Sequence, residues 1–185
     1  MKEQQKKYEL TDEFIEHWRG KKLYRIRALV SFGAVVAGQL GGFVESEKNL
    51  DQSLSGNAWV YGDAQVFDDA RVYGDAQVFG AAQVFGNARV LGNARVLGNA
   101  QVRSYAVISE RKMIFLATNV GSENGTLTVF NGEDGLIVTR GCFTGTVDEF
   151  LAKSAEVHDD KTKNEYKLLI EVAKSRILGV KDERN

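Results

Sequence analysis

Valine returns every sixth residue from Val60 to Val102, with an alanine two places before each, from Ala58 to Ala100. The residue between them is Trp, Gln or Arg. Each unit therefore puts two small apolar side chains on one face of a short extended segment and one large side chain on the other, the alternation of a strand. Most units then open on Gly followed by Asn or Asp, residues that enter left-handed backbone conformations and turn the chain. Eight such hexads fill residues 56–103 without interruption. A chain that alternates very short strands with corners has to coil. Three sides close a rung of about 18 residues, and successive rungs stack at strand spacing. Valine and alanine then line the inside, so recognition must be read from the outside.

At 18 residues per rung, the large residues between Ala and Val align as Trp59, Gln77 and Arg95; as Gln65, Gln83 and Gln101; and as Arg71 and Arg89. The residues after Val align as Tyr61, Phe79 and Leu97; as Phe67, Phe85 and Arg103; and as Tyr73 and Leu91. Columns of large apolar side chains either stack within the chain or form a stripe that another molecule covers. We expect Tyr61, Phe67, Tyr73, Phe79 and Phe85 to be covered by a second copy of the chain, since symmetric closed oligomers are the usual solution. Arg71 and Arg89 would repel unless an anion or an acid lies between them. They mark a ligand or an intersubunit pair, or else they pair with the corner acids Asp63, Asp69 and Asp75.

The flanks follow other rules. Residues 1–9 read as a mobile polar lead-in. Thr11 is placed to cap a helix over residues 12–19, with Phe14, Ile15 and Trp18 on one side and His17 on its surface. From residue 22 the pattern turns to strand, with Val36, Val44, Leu50 and Leu54 expected inside a first, irregular rung, and D-Q-S-L-S bulging as a loop. After Ile108 the repeat stops. M-I-F-L-A-T, T-L-T-V-F and G-L-I-V-T read as strands joined by Asn-Gly turns. Thr146 and Glu149 stand in capping-box spacing before a helix to Val157 that buries Val147, Phe150, Leu151 and Ala155. A second helix over residues 163–178 turns Tyr166, Leu169, Ile170, Ala173 and Ile177 inward, and V-K-D-E-R-N frays. The expected organisation is an N-terminal helix and cap over residues 1–22, a parallel β-helix over 23–108, and an α+β unit over 109–185.

The stretch T-R-G-C-F-T-G-T is the best local candidate for chemistry, because a strand end and a glycine-containing loop lead towards a helix N-terminus. Arg140, Gly141, Thr144, Gly145 and Thr146 would offer a guanidinium and free N–H groups to a phosphate or carboxylate. Alternatively, the two glycines only permit a tight connection and Thr146 caps the helix. Cys142 reads as a buried small residue and His158 as a solvated one.

Composition narrows the classes. A net charge of −1 over 185 residues argues against bulk electrostatic attraction to nucleic acid or acidic membranes. No apolar run is long enough to span a bilayer, and the N-terminus lacks the apolar centre of a signal peptide, so a cytoplasmic protein is expected. One cysteine excludes an internal disulfide, and with two histidines beside it a dedicated zinc cluster is not expected.

The hexads resemble those of the hexapeptide-repeat proteins, whose units read aliphatic-x-x-N/D-small-x and coil into a left-handed parallel β-helix; here Gly comes one place later than that family often has it. The resemblance implies a homotrimer. Y-R-I-R-A-L, L-G-G-F-V-E-S-E-K-N-L and G-N-A-W-V resemble the opening of a group of such proteins from bacteriophages and prophages, and R-G-C-F-T-G-T-V-D-E-F resembles the end of prophage proteins of unassigned role. Acyltransferases of the family use a histidine base and its carbonic anhydrases need three histidine ligands, whereas the hexads here contain no histidine. Ice-binding coils carry flat threonine arrays, and these columns hold Gln, Arg and aromatics. A non-catalytic binding protein without a cofactor or metal is therefore expected in the bacterial host cell. It would present C-terminal recognition sites on a β-helix scaffold and sequester a small anionic ligand such as a nucleotide immune signal. Alternatives are an inhibitor that binds a host protein complex, a structural part of a virion or filament, and an acyltransferase.

Overall fold

The computed structural model describes residues 3–179, so the terminal V-K-D-E-R-N lies outside the described residues. The chain opens with an antiparallel hairpin, β1 (Tyr8–Glu16) and β2 (Lys22–Ala28), followed by β3 (Leu40–Val44). The hexads form β4 (Trp59–Val60), β5 (Gln65–Val66), β6 (Arg71–Val72), β7 (Gln77–Val78), β8 (Gln83–Val84), β9 (Arg89–Val90), β10 (Arg95–Val96) and β11 (Gln101–Val102); β12 (Val107–Ile108) follows. These pair in parallel as three sheets, β3-β5-β8-β11, β4-β7-β10 and β6-β9-β12. Partners lie 18 positions apart, Gln65 on Gln83 on Gln101 and Trp59 on Gln77 on Arg95. The molecule is mainly β, a β-solenoid of about 18 residues per turn with the columns that the sequence defines.

The Ala and Val of every hexad are buried. Complete burial of each Val contributes about 1.5–3 kcal/mol. The corner falls at the first residue of the hexad. Gly62, Gly74, Gly80, Gly86, Gly92 and Gly98 take φ of +58° to +69°, and Asp68 and Ser104 adopt the same left-handed conformation at +57° and +63°. Phe43 pairs with Gln65 and Leu50 with Val72, 22 positions apart rather than 18. The four additional residues fall in the segment after Leu50, where D-Q-S-L-S leaves the coil as a loop. Val44 and Leu50 point into the core as expected, but Val36 and Leu54 are exposed and Val35 is buried instead.

No helix forms over residues 12–19. Residues 12–16 belong to β1, which pairs with β2 from Tyr8–Ala28 to Glu16–Lys22 and shifts register between Leu10 and Phe14, and residues 17–19 lie in the turn between the two strands. Phe14 and Ile15 lie in the strand beyond the shift and Trp18 in the turn, so the helix-like spacing of the three is divided between two elements. Nor is the whole lead-in a mobile tail. Lys7 and Tyr8 are fully buried, and Lys7 Nζ donates to the carbonyls of Gly56 and Ala58, 3.4 and 3.2 Å away, which have no rung above them. Burial depresses the Lys7 pKa. Arg25 donates in the same way to Gly41 and Gly62 carbonyls, and Asn49 to those of Asp68 and Ala70. The N-terminal segment thus supplies hydrogen bonds that a further rung would have made.

Beyond the solenoid, β13 (Ile114–Val120), β14 (Gly125–Gly132), β15 (Gly135–Arg140) and β16 (Phe143–Thr146) form an antiparallel sheet, followed by α1 (Val147–Val157) and α2 (Asp160–Leu178). The fourth strand lies where the sequence reads as a loop. Along β14, Leu127 and Val129 face the helices, while Phe130 packs into the solenoid core. Thr128 and its cross-strand partner Thr139 are buried against the last rung. Gln101 N–H donates to Thr128 Oγ1 at 3.3 Å, and Thr139 Oγ1 donates to the Gln101 carbonyl at 2.7 Å. In the helices Val147, Phe150, Tyr166, Ile170, Ala173 and Ile177 are buried, Leu151 and Leu169 partly so, and Ala155 is exposed, against expectation. No helix among the described residues is long and apolar enough to cross a membrane.

Candidate functional site

Arg140 ends β15, and its partner across β14 is Leu127, which directs the arginine towards the helices. Its Nε donates to the Tyr166 hydroxyl of α2 at 3.0 Å. Gly125 makes room for the guanidinium: a β-carbon at that position would overlap it. The side chain is only 15% exposed, and its acid partner among the described residues is Glu123, at 3.9 Å and 82% exposed. A largely buried guanidinium with one distant, solvated counter-charge is short of compensation. Arg140 and Gly141 border two cavities. One, of about 370 Å³, lies between the solenoid and the C-terminal sheet and is lined by Gln83, Asn99, Gln101, Asn124, Thr126 and Thr139, with no acid in its wall. The other, of about 350 Å³, lies towards the helices.

The rest of the T-R-G-C-F-T-G-T stretch is placed differently. Thr146 caps α1: its hydroxyl accepts from the Glu149 N–H, and the Glu149 carboxylate accepts from the Thr146 N–H at 2.8 Å. The helix N-terminus is thus occupied by its own side chains, with Asp148 and Glu149 in the first turn. Thr144, Gly145 and Thr146 border a separate groove together with Glu133, Asp134 and Glu149, an acidic setting that disfavours an anion. The β15–β16 turn is held by Arg103, which donates to the carbonyls of Gly141 and Phe143 and to Thr144 Oγ1. Burial lowers the Arg103 pKa. Cys142 is exposed on this turn rather than buried. His158 is half-buried, with Nδ1 3.0 Å from Ser154 Oγ, rather than free in solvent.

Arg71 and Arg89 do lie in register on adjacent rungs. Arg89 pairs with Glu133 at 2.6 Å, an acid of the C-terminal sheet, while Arg71 has no acid partner among the described residues. The corner acids are engaged elsewhere: Asp63 with Arg25, Asp69 with Lys48, and Asp75 with Asn57. A cleft of about 760 Å³ beside Arg71 and Arg89 is lined by Tyr73, Lys48 and Gln52 but also by Glu47 and Asp51.

The aromatic columns stack. Tyr61 and Phe79 lie 4.5 Å apart at 8°, Phe67 and Phe85 4.8 Å apart at 5°. Their cover differs. Phe67 and Phe85 are buried by the chain's own hairpin, through Ile15 and Leu23, with Phe43 beside them and His17 4.4 Å from Phe67. The second copy expected to cover these two is not needed. Tyr61, Tyr73 and Phe79 remain partly exposed, and Leu97 is exposed. His17, expected on the surface, is buried, and burial followed by the Arg19 charge lowers its pKa. Trp59, outward in its column, is buried beneath Tyr8 and Phe32.

Sequence reasoning missed the wall formed by Gln83, Gln101 and Asn99. One signal was present. Ala81 stands where its column mates are Asp63 and Asn99, and this shortest corner residue lines the cavity. Among the described residues no three His, Cys, Asp or Glu side chains converge where a metal ion could be held.

A family model described as the YdcK beta solenoid repeat matches residues 64–80 and 82–96, within the hexads. The match covers part of the solenoid and makes the chain similar to that repeat, in agreement with the coil observed. No curated protein matches the chain.

Proposed function

We propose that the chain is a non-enzymatic binding protein in which the solenoid is a rigid scaffold and a small anionic ligand is held at Arg140. The observation that carries this reading is the charge balance of that residue. A guanidinium fixed by Tyr166 and by the absent side chain of Gly125, with one exposed acid 3.9 Å away, is prepared for a second anion. The amides and hydroxyls of Gln83, Asn99, Gln101, Asn124 and Thr126 beside it would take the ligand's remaining oxygens without charge repulsion. Arg71 offers a further contact on the solenoid.

The half-exposed Tyr61–Phe79 stack, continued by Leu97, supports assembly through that column, and the hexapeptide-repeat resemblance supports three copies. The resemblance to phage and prophage sequences supports a cytoplasmic setting in a bacterial host and a nucleotide immune signal as the anion sequestered. Isothermal titration of the purified chain with inorganic phosphate, mononucleotides and cyclic dinucleotides tests this. Binding by at least one of them, weakened about tenfold or more in Arg140→Gln, is expected. Flat heats with all of them, or binding indifferent to that substitution, would overturn it.

A further inference from the structure

The helix-side cavity at Arg140 differs in chemistry from the amide-lined one. Four rings run through its wall in sequence: Phe143 lies 5.4 Å from Phe150, Phe150 5.0 Å from Tyr166 at 77°, and Tyr166 5.4 Å from His158. Val157 adds an exposed apolar side chain at the rim. Cations border this apolar wall, Arg140 held against Tyr166 and Lys153 from α1; the acid of the lining, Glu123, is largely in solvent. The polar groups deepest in the wall are satisfied, Ser154 with His158 and Tyr166 with Arg140, so the floor does not require water. At about 350 Å³ the space is at the small end of ligand pockets and suits a one- or two-ring group.

We infer that this chamber takes the ring system of an aryl carboxylate, whose charged end is met by Arg140 with Lys153 beside it. Ring faces and edges favour an aromatic guest over an aliphatic one of equal size. A guanidinium with donors to spare favours a planar, two-oxygen anion over a neutral group. The inference rests on the reading of Arg140 as an anion site and adds a second class of ligand, taken on the helix side of the guanidinium rather than in the amide-lined cavity.

Acetate, inorganic phosphate, benzoate and 2-naphthoate would be titrated against the full chain by calorimetry and by ligand-detected NMR. The expected order is naphthoate tighter than benzoate, and benzoate tighter than acetate, with naphthoate at least about tenfold above acetate because ring burial adds to the charge contact. Val157→Trp, at an exposed position, is expected to close the rim and remove the ring-dependent gain, so that naphthoate binds no tighter than acetate. Naphthoate no tighter than acetate, with phosphate still bound, would overturn the aryl assignment and leave Arg140 as an anion site. A gain that survives Val157→Trp would place the ring elsewhere and overturn the chamber. Absence of binding by every anion would overturn the aryl assignment together with the Arg140 reading.

Discussion

The solenoid shaft and the units that close its ends solve one problem by opposite means. Inside the shaft each short strand hydrogen-bonds to the same atoms one rung away, and each Val stacks on the Val 18 positions on, so one hexad can be rewritten with little loss of meaning. At the ends there is no next rung. Lys7, Arg25 and Asn49 act at one end, and the paired Thr128 and Thr139 at the other, each at a single position with no counterpart in the repeat. Repetition makes the shaft legible and redundant, while each end depends on individual side chains. Departures from the repeat accordingly mark contacts. Trp59 is covered by the N-terminal segment, Asp68 takes a corner normally held by Gly and binds Lys21 at 2.7 Å, and Arg103 reaches the β15–β16 turn.

The contrast is broken most severely in the middle of the shaft. Val84→Asp puts an unpaired carboxylate among stacked valines and is expected to destabilise the chain by more than about 4 kcal/mol, or to prevent folding, as read from urea denaturation and circular dichroism. At the N-terminal end, Lys7→Ala removes the ammonium from two carbonyls and leaves a void. A loss of about 2–3 kcal/mol is expected, with amide exchange accelerated around residues 56–60 before the C-terminal sheet is affected. Unchanged protection there would show that Lys7 is not a substitute rung.

Asp68→Gly sharpens the comparison, because it restores the repeat and relieves a left-handed non-glycine while leaving Lys21 with Glu45 as its remaining acid partner and the Gly86 N–H without its carboxylate acceptor. These effects oppose, so global stability should change by no more than about 1 kcal/mol, while exchange at the β1–β2 turn rises. Burial raises the Asp68 pKa, but the bonds from Lys21 and Gly86 outweigh it and the net shift is downward, so this anchor is kept until acid pH.

The smallest effect is expected at His17, which faces Phe67 with Arg19, Lys21 and Asp68 as its charged neighbours. Its folded pKa lies below the usual 6.5. The unfolded chain therefore takes up a proton first, and stability is lost as pH falls from about 6.5 towards the folded value. Melting temperature measured from pH 7.5 to 5 should fall more steeply in the natural chain than in His17→Leu. Parallel curves would remove the histidine from the account.

The candidate site was only partly legible. Arg140 and Gly141 stand out as a basic residue and a turn glycine at a strand end, and both border the cavities. Thr144, Gly145 and Thr146, adjacent in sequence, are turned towards acids by β16, a four-residue strand whose signal is interrupted by Gly145, a residue depleted in strands. Tyr166 and Gly125, which fix the guanidinium, lie 26 positions ahead and 15 behind, and nothing in the local pattern links them to it.

By itself the sequence determined the coil, its 18-residue period, the columns on its faces, the loop after Leu50 and the capped helix at Thr146. Each of these follows from side-chain period or from chemistry within a few residues. Only the tertiary structure decided that the N-terminal segment is a hairpin, that the hairpin covers Phe67 and Phe85, and that Arg140 is nearly enclosed. These outcomes depend on which surfaces meet, and a register shift at Leu10 or a hydrogen bond across 26 residues leaves no periodic trace in the chain.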